Sequence, residues 1–257
     1  MPLPSKLVAS AEEAVADIAD GATIAIGGFG VCGIPSLLIE ALLARGSRSL
    51  HVISNNCGID GWGLGRLLQA DRIERLTASY VGENRELERR YLDGRLNVEL
   101  IPQGTLAERL RAAGAGIPAF YTPAGVGTAV EDGGIPTRYG GDGVPVEVSA
   151  PREVRFWDGT KYLLERWLRA DFALVRAARG DIAGNLRFAK AARNFNPLVA
   201  AAGRVTIAEC EAVSDLGGIE PDDVHTPGVL VQRIVAVRPE MLAEKRIERV
   251  VTSPAGA

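Results

Sequence analysis

The stretch Asp20-Gly21-Ala22-Thr23-Ile24-Ala25-Ile26-Gly27-Gly28-Phe29-Gly30-Val31-Cys32-Gly33-Ile34-Pro35 decides the reading of this chain, because an apolar, β-branched run empties into glycines and a proline. It predicts a strand, a tight turn and a helix. Glycine has no Cβ, so Gly27, Gly28, Gly30 and Gly33, with Phe29 among them, allow positive φ and close approach of backbone amides to a ligand. Such a turn can cradle an acyl group or a phosphate. Residues 28–33 also fit G-x-G-x-x-G, which binds dinucleotides when a carboxylate follows about 20 residues later. Here the next strand, 50–54, ends in Asn55-Asn56, and no acid stands at its tip to hold a ribose hydroxyl. Nicotinamide binding is not expected.

Outward from this turn, helix and strand patterns alternate. Ser10-x-x-Glu13 is a capping box that predicts a helix over 10–19, followed by a strand over 22–26. Pro35 suits the first turn of a helix whose Leu37, Leu38, Ala41 and Leu42 share a face, with Gly46 placed to end it. Strands are predicted over 50–54, 73–81, 97–101 and 119–121, with helices over 84–92 and 105–113 between them. This rhythm predicts an α/β fold with an open, mostly parallel sheet flanked by helices. Residues 125–151 are dense in Gly, Pro, Asp and Glu and predict a long excursion, a lid or an interface loop. Beyond them, 154–157, 161–168, 172–177, 204–213 and 229–237 are β-like, and 196–202 is a short helix. There is no internal repeat. One domain over 1–249 and a C-terminal tail over 250–257 are expected.

A chain of 257 residues can bury a substantial core, and its low aromatic content of 5% suits parallel strands covered by aliphatic helices. A net charge of -3 offers no general attraction for nucleic acid. No apolar run approaches the roughly 20 residues that span a membrane, and the N-terminus lacks a signal-peptide layout, so a cytoplasmic protein without a membrane partner is expected. Cys32, Cys57 and Cys210 have no C-x-x-C spacing, which predicts free, mostly buried thiols and no metal site.

Ligands of open α/β sheets bind beyond the carboxyl ends of the strands. Three polar or glycine-rich segments fall at such ends: 27–33, Asn55-Asn56, and Pro102-Gln103-Gly104. Two asparagines and a glutamine supply neutral donors, suited to a thioester carbonyl and to amide-rich pantetheine, but no nucleophile. Turn and helix-entry chemistry is the competing account of the same residues. Glu209 and Glu211 stand i, i+2 on a strand and share a face, which fits a solvated or interface face better than an acid and base pair. His51 opens a strand and His225 sits in a Pro/Asp-rich loop, with no G-x-S-x-G elbow to complete a hydrolytic triad. The basic stretches 85–95 and 109–111 are interleaved with glutamates and predict salt-bridged, solvated helix faces.

Read whole, the opening stretch resembles the glycine-rich signature of the family I coenzyme A transferases: Asp-Gly, apolar residues, Gly-Gly-Phe, then Gly-Ile-Pro. Ser54-Asn55-Asn56-Cys57-Gly58, Tyr80-Val81-Gly82-Glu83-Asn84, Pro102-Gln103-Gly104-Thr105-Leu106-Ala107-Glu108-Arg109, Ala119-Phe120-Tyr121-Thr122-Pro123 and Ala192-Arg193-Asn194-Phe195-Asn196 are similar to segments of the family's A subunit, in the same order. The resemblance spans about 6–249. It implies the family I fold, and a heteromer of two A and two B chains that moves CoA from succinyl-CoA to a 3-oxoacid such as acetoacetate, or to another acid such as 3-oxoadipate. It implies that Gln103 donates to the acyl oxygen, that Asn55 and Asn56 line the acyl-CoA site with the glycine turn, and that no cofactor is needed beyond the CoA thioester. The nucleophilic glutamate is implied on the family's B subunit. Glu83-Asn84 looks like the Glu-Asn-Gly around it, but Arg85 follows, and Glu83 is not read as that nucleophile. The competing classes are a self-sufficient sugar-phosphate isomerase and a non-enzymatic structural or regulatory subunit.

Overall fold

The computed structural model of the chain describes residues 5–82, 84–238 and 240; Glu83 and the tail expected over 250–257 lie outside the described residues. In chain order the first elements are α1 (Ala11–Ala14), β1 (Thr23–Ile26), α2 (Ser36–Arg45), β2 (Leu50–Ile53), α3 (Leu64–Gln69), β3 (Ile73–Ala78), α4 (Arg85–Leu92), β4 (Asn97–Leu100) and α5 (Gln103–Gly114). Then come β5 (Ala119–Thr122), α6 (Ala129–Asp132), β6 (Pro136–Tyr139), β7 (Pro145–Val148), β8 (Val154–Trp157), β9 (Thr160–Arg166), β10 (Ala170–Asp181), β11 (Leu186–Arg187), α7 (Asn196–Ala202), β12 (Gly203–Ser214) and β13 (Arg233–Ala236).

The main sheet has the order β13-β12-β10-β1-β2-β3-β4, parallel throughout, with β11 added antiparallel to β10. The chain moves outward from β1 to β4 on one side and places β10, β12 and β13 on the other, so the order reverses at β1. That reversal opens the crevice at which such sheets bind ligands. Side-chain alternation along each strand divides the core into two layers. Ile24 and Ile26 of β1 pack toward Leu38, Leu42, Leu64, Leu67 and Leu87, whereas Ala25 packs toward Leu106, Leu110 and Val199. Helices α1–α4 therefore cover one face and α5 and α7 the other. Each fully buried Leu or Ile here contributes about 1.5–3 kcal/mol relative to exposure.

Several sequence expectations are corrected. Ser10 caps the helix, since Glu13 N donates to Ser10 Oγ, while Glu13 Oε2 accepts from Ala9 N, one residue before the cap; the α-helix so opened ends at Ala14. Helix α3 was not anticipated, although Leu64, Leu67 and Leu68 stand at helical spacing and are buried. Strand β5 does not join the parallel sheet: it pairs antiparallel with β9, which pairs with β8. Within 229–237 only Arg233–Ala236 is strand, after a 3-10 turn at Gly228–Leu230. The excursion over 125–151 is no plain loop, because it folds into α6 and the β6–β7 hairpin. That hairpin lies beside the edge strand β4, held by Tyr91 Oη donating to Pro136 O and Asn97 Nδ2 donating to Glu147 Oε2. A covered edge no longer offers unpaired backbone groups to other chains.

Candidate functional site

The carboxyl ends of β1, β2 and β4 are joined by side chains. Ser54 Oγ donates to Ile26 O at 2.9 Å, tying the end of β2 to the end of β1. Gln103 Nε2 reaches across the end of β3 to donate to Asn55 Oδ1 at 2.7 Å, and Ser79 Oγ, just past β3, donates to the same oxygen at 2.9 Å. Asn55 Nδ2 donates to Asn56 Oδ1 at 3.3 Å, and Asn56 Oδ1 accepts the Gly30 amide at 3.1 Å. One chain of neutral amides thus runs from Gln103 through Asn55 and Asn56 to the glycine turn. The asparagines are buried, whereas Gln103, first residue of α5, is exposed. Its amide carries a second N–H for a ligand. With Phe29 46% exposed, the rim of the site is open to solvent.

The turn itself is closed by reciprocal backbone hydrogen bonds between Phe29 and Cys32, both 3.0 Å. Gly30 at its tip has φ 59° and open space around it. Gly27 and Gly33 are glycines for want of room: a Cβ at Gly27 would overlap Asn196 Oδ1, and one at Gly33 would stand 2.8 Å from Ala192 O. Asn196 is completely buried. Its Oδ1 accepts from Arg176 N at 3.1 Å and its Nδ2 donates to Gly33 O at 3.0 Å and Ala192 O at 2.9 Å. Sequence reasoning assigned Asn196 no role, because nothing in local spacing ties it to a turn 163 residues away. Ser79 was likewise missed.

Glu209 departs from the expected solvated or interface face. Strand β12 lies inside the sheet, and Glu209 has the parity of Ile207, which packs into the layer holding α2, so it is fully buried. Both Glu209 and Glu211 turn to Arg176 on the neighbouring strand, at 3.4 and 3.3 Å. Burial pushes the Glu209 carboxyl up to about 7, against the pull of Arg176 and the Leu38 and Leu37 amides. A carboxyl raised from its ordinary 4.5 holds its proton longer in the folded than in the unfolded chain. Its contribution to stability is therefore complete below pH 4.5 and is lost as pH rises to about 7. Measured against Glu209→Gln by denaturant unfolding, the wild type should lose stability over that window, by at most about 3 kcal/mol. A constant difference across the window would refute this.

Both histidines hold hydrogen bonds within the fold. Burial, reinforced by Arg75, lowers His51 to about 4, and its Nε2 lies 2.9 Å from Thr77 Oγ1. His225 Nδ1 accepts the Phe188 amide. In the basic stretches, Arg89 and Arg111 pair with Glu86 and Glu108 on solvated faces as expected, but Arg109 is only 8% exposed and pairs with Glu99 and Glu165. Burial raises the Cys57 thiol to about 12 and the Cys210 thiol also upward, so neither is a thiolate nucleophile at neutral pH. Among the described residues no cluster of metal-ligating groups occurs and no helix is long and apolar enough to cross a membrane.

Comparison with known proteins gives a consistent result. Residues 8–237 match the Coenzyme A transferase family profile. The chain is 61% identical over 232 residues to the A subunit of the probable succinyl-CoA:3-ketoacid coenzyme A transferase of Mycobacterium tuberculosis, covering 90% of this chain and 94% of that one. It is 51% identical over 247 residues to the human mitochondrial succinyl-CoA:3-ketoacid coenzyme A transferase 2, covering 96% of this chain and 47% of that protein. Among solved structures, an acyl-CoA transferase of Escherichia coli O157:H7 superposes with a TM-score of 0.76 at 26% identity, covering 93% of this chain and 49% of that one.

Proposed function

The chain belongs to the coenzyme A transferase family, and from that membership we propose that it is the A subunit of a two-chain enzyme that moves CoA from succinyl-CoA to a 3-oxoacid such as acetoacetate. Two A and two B chains form the working enzyme. The observation that carries the reading is the amide chain from Gln103 through Asn55 and Asn56 to the Gly30 amide. Neutral, fixed donors at strand ends suit a carbonyl oxygen on which negative charge develops.

In the proposed reaction a glutamate carboxylate of the B subunit, the partner of this chain, attacks the thioester carbonyl. The new C–O bond forms as the C–S bond breaks, leaving an acyl-glutamyl anhydride and CoA thiolate. The thiolate then attacks the glutamyl carbonyl, releasing the donor acid and leaving a glutamyl-CoA thioester, from which the acceptor acid takes CoA by the reverse sequence. Gln103 holds the acyl oxygen during attack, Asn55 and Asn56 orient Gln103 and the turn, and the 27–33 turn lies along the thioester. No cofactor enters beyond the CoA thioester itself.

The test is an assay of this chain with and without the B subunit, using succinyl-CoA and a panel of acceptor acids. Transfer is expected only in the mixture, fastest to a 3-oxoacid. Turnover by the pure chain, or isomerase activity without the partner, would overturn the assignment. A mixture that assembles but moves no CoA would point to a structural or regulatory role instead.

A further inference from the structure

Helix α2 follows Pro35, whose side chain can accept no hydrogen bond, so the first amides of the helix need an acceptor from elsewhere. It comes from β12. Glu209 Oε2 accepts the Leu38 amide at 3.0 Å across 171 residues of sequence. Its other oxygen, Oε1, is buried and accepts no hydrogen bond among the described residues; Arg176 Nη1 stands 3.4 Å away. The same Nη1 donates to Ile34 O at 3.4 Å, and Arg176 N donates to the Asn196 oxygen that fills the space beside Gly27. The start of the turn, its end and the first turn of α2 are thus held by one connected group: Asn196, Arg176 and Glu209.

We propose that Glu209 is a positioning residue for the acyl site: through the Leu38 amide and Arg176 it fixes where the 27–33 turn ends and α2 begins, and so where the Gly30 amide stands against Asn56. Its side chain is completely buried within this chain, so it acts through Leu38 and Arg176. The effect on rate rests on the transferase reading, whereas the effect on the turn does not.

The charged groups facing Glu209 are Arg176 from β10 and Glu211 from its own strand; β13 sets Val235 opposite it, and α2 contributes the Leu37 and Leu38 amides. Burial brings this carboxyl to about 7, so it changes charge near neutrality. Hydrogen bonds to an ionised acceptor are roughly twice as strong as neutral ones. The raised value nevertheless means that desolvation outweighs these bonds, so ionisation loosens the packed segment and the turn is held less firmly above pH 7 than below. A residue that only filled space would act equally at every pH.

The experiment reconstitutes the full chain, as wild type and as Glu209→Gln, with the partner subunit. The variant keeps the shape and a carbonyl acceptor for Leu38 but stays neutral. The ratio of wild-type to variant kcat should be near one at about pH 6 and should fall to about one tenth at about pH 8.5, with KM unchanged; misplacement by about 1 Å can lower a rate roughly a hundredfold. Taking the ratio cancels titrations on the partner. In parallel, hydrogen exchange of the amides over 27–38, corrected for intrinsic rate, is followed against pH in the wild-type chain and the variant. Wild-type protection should fall as pH rises to about 7 while the variant and the amides of β3 show no such fall. A kcat ratio flat with pH, or wild-type protection that does not fall as pH rises to about 7, overturns the proposal. If the wild-type complex moves no CoA, the transferase reading fails, and the exchange data on wild type alone still decide whether Glu209 holds the turn.

Discussion

Gln103→Ala is expected to slow single-turnover formation of the covalent enzyme-CoA species by about 10²- to 10³-fold, roughly 3–4 kcal/mol, the loss seen when one oxyanion donor is removed. Folding and assembly should survive. Gln103 is exposed at the first position of α5, and Asn55 Oδ1, which it serves, keeps its second donor in Ser79 Oγ. No buried acceptor is stranded, so the stability change should stay within the small range of surface substitutions, about 0.5 kcal/mol. Gln103→Glu should be slower still. A carboxylate would meet the developing oxyanion with like charge and would face Asn55 Oδ1 with an acceptor where a donor is needed. The measurement is the rate of enzyme-CoA formation in reconstituted complexes. If the alanine variant reacts at the wild-type rate, Gln103 is only a helix-entry residue and the site is wrongly placed.

Gly28→Val is expected to abolish transfer and to destabilise the chain by about 3 kcal/mol, combining positive-φ strain of about 1–3 kcal/mol with overpacking of similar size. Gly28 has φ 109°, and a Cβ there would overlap Ile34 Cδ1 and come within 3.2 Å of Cys32 O. The side chain of Ile34 can move aside, but backbone oxygens cannot, and valine's second branch makes the crowding worse. For a chain of this size the melting temperature should fall by roughly 10 °C. Gly30→Ala is the contrast: its φ of 59° is left-handed but nothing lies within 4 Å, so it should cost only about 1–2 kcal/mol. Thermal unfolding of both variants, with transfer rates of the reconstituted complexes, separates a shaped cradle from a plain connector. A stable, active Gly28→Val complex would show the latter.

The amino-acid sequence by itself determined the fold class and the three strand ends. Hydrophobic runs of strand length alternating with helical periodicity can satisfy their backbones and bury their side chains in few ways besides a parallel sheet covered on both faces. Gly27 to Gly33, Asn55, Asn56 and Gln103 were all legible because each lies within a few residues of a strand end. Order in space was not. That β10 would pair with β1, putting the reversal of strand order beside the glycine turn, depends on which apolar edges meet after folding, and no local signal encodes it. The same holds for β5, an apolar run like the others, whose antiparallel partner β9 lies across the 125–151 excursion. Glu209 shows the limit most clearly. In sequence it is one of two acids spaced as on a surface strand; in the folded chain it is sealed between β10, β13 and α2, beside Arg176 and the amides of a helix that follows a proline. Burial and charge partners arise from contacts between segments more than 30 or 170 residues apart. Tertiary structure alone therefore decided what Glu209, Arg176 and Asn196 do, because desolvation and hydrogen-bond partnership are properties of the packed chain and not of its spacing.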